Sequence, residues 1–171
     1  MKLSKSVVGK QKQKQFNTTE PEMGQYSSPG PVRGVNGPFL LTSAADTARQ
    51  QLAAWARDDA TSSNDYYVNG QGDRTYRNTS LEPLVEPLLH ELNLAGCKYT
   101  MYRAEDVRLV PVTHPTYAIP INVIAGMPKI QDLTHNIVTL LLGYYYTLCT
   151  DVIISPKVDY LVVERGPGTY R

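Results

Sequence analysis

Apolar residues first recur at helical spacing at Ala45, Ala48, Leu52 and Trp55, after a long opening stretch in which they follow no period. Ser43 with Asp46 three residues on forms a capping-box-like start, so the spacing predicts a helix over roughly 43–57. The pattern then changes. Tyr66–Val68 and Arg74–Tyr76 flank Asn69-Gly70-Gln71-Gly72, whose Asn-Gly pair supplies a positive-φ turn, and a hairpin is expected. Residues 80–96 return to a helical pattern. Pro83 fits the first turn of that helix, Pro87 must kink or restart it, and Gly96 suits its end.

Beyond Gly96 the alternation places Cys97, Tyr99 and Met101 on one face of a strand, and Val107–Val112 continues as a second. Pro111, Pro115 and Pro120 should confine the following stretch to sheet edges or extended loop. Asp132 stands at the start of a third expected helix, over 133–143. There Leu133, Ile137, Leu140, Leu141 and Tyr144 would share a face and Gly143 would end the element. The last apolar runs, 144–154 and 158–164, are rich in β-branched and aromatic residues. Ser155-Pro156-Lys157 joins them, so they read as a long antiparallel hairpin of the central sheet. The expected architecture is α+β, a mainly antiparallel sheet packed on two or three helices. There is no internal repeat.

Residues 1–38 differ in kind. Residues 21–38 hold four prolines and four glycines, a composition in which neither a helix nor a central strand persists. An extended arm over 1–38 followed by one domain over 39–171 is the expected division, with folding beginning near Phe39.

Charge sharpens that division. The chain of 171 residues has a formal net charge of +1. Residues 1–45 hold Lys2, Lys5, Lys10, Lys12, Lys14 and Arg33 against Glu20 and Glu22, a local balance of +4, which leaves −3 for the rest. A basic arm thus precedes a mildly acidic body. Its cations are the candidate partner- or phosphate-contacting residues. Twelve tyrosines against two phenylalanines suit surfaces that are both apolar and wetted, as at interfaces or on open sheets. The two cysteines, Cys97 and Cys149, are too few for a disulfide scaffold. They are expected as buried, unbridged thiols on strands. The Lys-rich start lacks the apolar core of a secretory signal, so the sequons at Asn17 and Asn78 are expected to be unused. Residues 133–150 are broken by His135, Asn136, Gly143 and four threonines, too polar for a membrane span.

Catalytic signatures are weak. Ser6–Gln11 lacks the first glycine and the magnesium-binding hydroxyl of a phosphate loop, and the glycines near 70 and 166 lack the setting of a dinucleotide fingerprint. His90, His114, His135, Cys97 and Cys149 are scattered without metal-ligand spacing. Cys149 with His135 or His114 could form a nucleophile pair only if the fold brought them together. Asp58-Asp59 and Glu105-Asp106 read as solvated caps and turns. The expectation is therefore a chain with no enzyme activity, cofactor or metal. It would be a structural subunit of a large symmetric homo-oligomer, with a virion component as the leading setting: a phage neck, head–tail connector, tail or capsid-associated protein. Its partners would be copies of itself and neighbouring structural proteins, and its location the virion assembled in a host cytoplasm. A nucleic-acid-associated subunit of a cellular ribonucleoprotein or other multi-protein complex, cytoplasmic and with the lysines on backbone phosphates, is the alternative; a small enzyme using His114 or Cys149 is the third.

Overall fold

The central strand of the molecule, Val158–Glu164, shows how its layers arise. Val158, Tyr160 and Val162 point to one face and Asp159, Leu161 and Val163 to the other, and all six are buried. A strand buried on both faces needs a layer on each side. In the computed structural model, which describes residues 34–57, 66–70, 72–76 and 79–166, those layers are a pair of helices and a second sheet.

In chain order the elements are β1 (Val35–Leu40), α1 (Ser43–Arg57), β2 (Tyr66–Val68), β3 (Arg74–Tyr76), α2 (Glu82–Glu91), β4 (Lys98–Ala104), β5 (Arg108–Val110), β6 (Thr116–Val123), β7 (Lys129–Asp132), β8 (Ile137–Thr139), β9 (Tyr144–Leu148), β10 (Val152–Ile154) and β11 (Val158–Glu164). They form a seven-stranded sheet in the order β1-β9-β6-β11-β4-β3-β2 and a four-stranded sheet in the order β5-β10-β7-β8. Every pairing is antiparallel. The fold is α+β and rich in sheet, as expected, with two helices among the described residues.

One core lies between the helices and the large sheet, built from Leu52, Leu88, Leu89, Met101, Ile119 and Leu161 with their neighbours. The other lies between the two sheets, around Ile130, Tyr146, Leu148, Ile154, Val158 and Tyr160. Helix α1 forms where the spacing predicts, but its cap is Thr42 rather than Ser43. The Ala45 amide donates to Thr42 Oγ1 at 3.1 Å, while Asp46 turns to Arg49 and Gln50. Helix α2 runs through Pro87, which lies inside it. The β2–β3 hairpin forms over the expected residues, with Asn69 Oδ1 accepting from the Asp73 amide at 3.0 Å, but the positive φ, 86°, falls at Gly72 rather than in the Asn69-Gly70 pair.

Five expectations need correction. The helix over 133–143 does not form. Asp132 accepts hydrogen bonds from the backbone and side chains of both Thr134 and Asn136, and His135 has φ 67°. These close a tight turn between β7 and β8, and the β-branched Ile137-Val138-Thr139 continues as a strand. Nor do 144–154 and 158–164 pair with each other. β9 and β11 belong to the large sheet on either side of β6, whereas β10 crosses to the small sheet, so only Val152–Ile154 faces β11 across the inter-sheet core. Pro120 is not confined to an edge: it lies within β6, between β9 and β11. It sits past the residues paired to β9, with a register irregularity at Asp159/Tyr160 on the β11 side, and such irregularities accept proline in a sheet.

Regular structure also begins before Phe39. β1 starts at Val35, which is buried in the inter-sheet core and pairs with Leu148, so the arm boundary at 38 falls inside a strand. β1 is an edge strand with a register shift between Asn36 and Phe39, which accommodates Pro38. Gly34, at φ 81°, leads into it where a Cβ would collide with the Thr150 side chain. Lastly, Cys97 and Cys149 are both free thiols, but they flank strands rather than lie on them, and Cys149 is exposed.

Candidate assembly surface

The four-stranded sheet covers the core with Val110, Ile130, Val152 and Ile154, so period-2 alternation turns their neighbours outward. An antiparallel sheet with one solvated face ordinarily carries polar residues there. Here the register aligns Leu109, Ile153, Gln131 and Ile137 in one row across all four strands, and three of the four are apolar. Leu109 is 54% and Ile137 45% exposed, and beside the row Val107 is 52% and Met127 73% exposed. A shallow cavity of about 330 Å³ opens on this face, lined by Val107, Met127, Lys129, Gln131, Ile137 and Ile153. Contiguous apolar surface of this kind marks interaction sites on soluble proteins. A second exposed apolar group, Phe39, Leu40, Leu141 and Leu142, lies at the β1 edge of the large sheet.

The buried charges lie elsewhere and are closed on themselves. Asp159, fully buried in β11, receives Arg103 through Nε at 2.6 Å and Nη2 at 2.9 Å. Tyr76 Oη donates to the same carboxylate at 3.2 Å, and Arg103 also donates to the Ala56 carbonyl in the last turn of α1. The Asp159 hydrogen bond raises the Arg103 pKa, while burial, followed by the Asp159 charge, raises that of Tyr76. This centre joins helix to sheet and leaves no carboxylate oxygen for a substrate. A second buried carboxylate, Asp73, accepts from the amides of Glu105 and Asp106 and lies 3.5 Å from Arg108, so 105–106 is a braced turn. Sequence reading missed these pairs. Their only signals were an aspartate inside a β-branched run and an arginine on an alternating strand.

The cations singled out in the arm, Lys2, Lys5, Lys10, Lys12, Lys14 and Arg33, lie outside the described residues, as do Asp58-Asp59 and the sequon asparagines Asn17 and Asn78. Of the candidate nucleophile set, His114 precedes β6, His135 lies in the β7–β8 turn and Cys149 follows β9, while the metal candidates His90 and Cys97 lie on α2 and before β4. Among the described residues no three His, Cys, Asp or Glu side chains are grouped to hold a metal. Nor is any helix there long and apolar enough to cross a membrane. The sequence matches no known protein-family model and no curated protein.

Proposed function

We propose that this chain is a non-enzymatic structural subunit that assembles with copies of itself into a symmetric particle. The outward apolar row of the small sheet carries the reading. Leu109, Ile153 and Ile137 are held at fixed spacing on a rigid two-sheet body, which suits a permanent contact better than a transient one. The Pro/Gly-rich, Lys-bearing segment before Gly34 supports it from composition, since such a segment has too little apolar surface to bury a core of its own. A virion layer, such as a neck, head–tail connector or capsid-associated protein, is the setting this combination suits.

Native mass measurement and sedimentation of the full chain test the proposal. A discrete oligomer is expected, with Ile137→Lys reducing it to smaller species at unchanged thermal midpoint. A monomer at all concentrations overturns it. An oligomer that forms only with nucleic acid and dissolves steeply with salt would favour the phosphate-binding role of the lysines instead.

A further inference from the structure

β6 is paired to β9 only over Thr116–Ala118, and among the described residues no strand is paired to its last residues on that side. Helix α1 fills part of the gap. Arg49 Nη1 donates to the Ile121 carbonyl at 2.8 Å, and Arg49 Nε donates to Asp46 Oδ1 at 2.6 Å. The rest of the gap is a cavity of about 360 Å³ between α1, the end of β6 and Leu142 of the β8–β9 loop, within the size range of small-ligand sites. On its helix wall Arg49, Ala53 and Arg57 follow at four-residue intervals and share a face, the small Ala53 leaving room between two guanidiniums.

Three polar groups on this cavity are not engaged by the fold. Arg49 is 7% exposed, yet its Nη2 makes no hydrogen bond and is not a sealed atom, so the accessible remnant of this buried side chain is a donor. Asn122 is 6% exposed. Its Nδ2 is turned to Asp159 Oδ2 at 3.4 Å, which leaves Oδ1 as an open acceptor. Arg57 is exposed, with no ion pair or hydrogen bond among the described residues. Two arginines against the one carboxylate beside them, Asp46, leave the site a single net positive charge.

We propose that this cavity binds an N-acyl amino-acid carboxylate, the chemistry shared by a peptide C-terminus and a small N-acylated amino acid. The carboxylate accepts from Arg49 Nη2 and from Arg57, and such charge-assisted bonds are the strong ones. Arg49 is already fixed by its bonds to Ile121 and Asp46, so its remaining donor costs little to order. The amide N–H next to the carboxylate donates to Asn122 Oδ1. Ala53, Ile121 and Leu142 offer apolar contact to an aliphatic side chain. The single net charge suits a monoanion, and a phosphodiester, though also a monoanion, brings no donor for Asn122.

Saturation-transfer NMR on the full chain tests the site with N-acetyl-leucine as probe, whatever the chain's oligomeric state. Saturable binding is expected. It should be roughly tenfold weaker for N-acetyl-leucinamide, which loses the charge, and several-fold weaker for 4-methylpentanoate, which loses the N–H. Arg57→Glu changes an exposed, unbonded side chain, so it should keep the thermal midpoint while weakening binding roughly tenfold. Tighter binding of N-acetyl-glycyl-glycyl-leucine than of N-acetyl-leucine would assign the site to a peptide end, and equal binding to a small molecule. Equal binding of the leucinamide, binding unaltered by Arg57→Glu, or no saturable binding of either acetylated probe overturns the site. Displacement of N-acetyl-leucine by inorganic phosphate at equal ionic strength would make this a general anion site and overturn the assigned chemistry.

Discussion

At the scale of single residues, Asp132 shows a carboxylate set by its immediate neighbours. Burial alone would raise its pKa. The side chain and amide of Asn136, followed by those of Thr134, outweigh burial with bonds of 2.8–2.9 Å and hold the pKa at about 2, below the ordinary 3.8. A depressed folded-state value means the contribution is complete above pH 3.8 and is lost as pH falls from there through about 2. Asp132→Asn should therefore show a smaller fall in thermal midpoint between pH 4 and 2 than the wild type, measured by circular dichroism. Equal falls would assign acid sensitivity to other groups. Arg103 is a different case, because its partner Asp159 is fully buried. Arg103→Ala should cost about 3–5 kcal/mol in urea unfolding, since an uncompensated charge is left inside, while Arg103→Met with Asp159→Leu should recover most of it. Neither role was legible from residue type alone. Asp132 read as a helix start because Asp caps helices and turns alike, and only the left-handed His135 separates the two outcomes.

At the scale of elements, α2 carries a conflict between local and tertiary preference. Pro87 offers no amide to the turn before it, yet Val85, Leu88 and Leu89 are buried so completely that packing holds the helix through it. Pro87 itself is exposed. Pro87→Ala should stabilise the protein by about 2 kcal/mol, roughly 3 from restored helix propensity less about 1 from the freer unfolded chain. Urea unfolding checks it, and a loss of stability would mean the proline shapes the helix usefully. Elements whose signal lies within a few residues were readable. Helix α1 follows from its apolar spacing, and the β2–β3 hairpin from two short β-rich runs around a glycine-containing turn, whose positive φ is taken by Gly72. The stretch 133–143 misled because a short apolar run serves a helix face or a strand equally well. Here Leu133, Ile137 and Leu141, which a helix would have buried together, are all more than 40% exposed.

At the scale of the whole molecule, β1 decides where the body begins. A chain starting at Gly34 keeps Val35 and its pairing with Leu148, so its thermal midpoint should stay close to that of the full chain while the larger assembly is lost. A chain starting at Phe39 loses Val35 from the inter-sheet core and should melt several degrees lower. Equal melting of the two would mean that β1 adds little. Undiminished assembly of the Gly34 chain would remove the segment before it from any role between copies.

What the sequence by itself determined is local: the division in composition between a Pro/Gly-rich, basic opening and a more apolar remainder, the two amphipathic helices α1 and α2, the tight hairpin and the two-faced alternation of β4. Each depends on residues within a turn or two of one another, where the 3.6 and 2.0 periods and turn chemistry operate. Tertiary structure alone decided which strands are neighbours. It sent β10 to a second sheet, placed Pro120 inside the first, joined Arg103 to Asp159 across 56 positions and aligned Tyr67, Thr75 and Tyr102 in one cross-strand row. The physical reason is that a strand's hydrogen bonds and half its buried surface come from partners remote in the chain. Many pairings satisfy the same local pattern, and only simultaneous closure of both cores selects one.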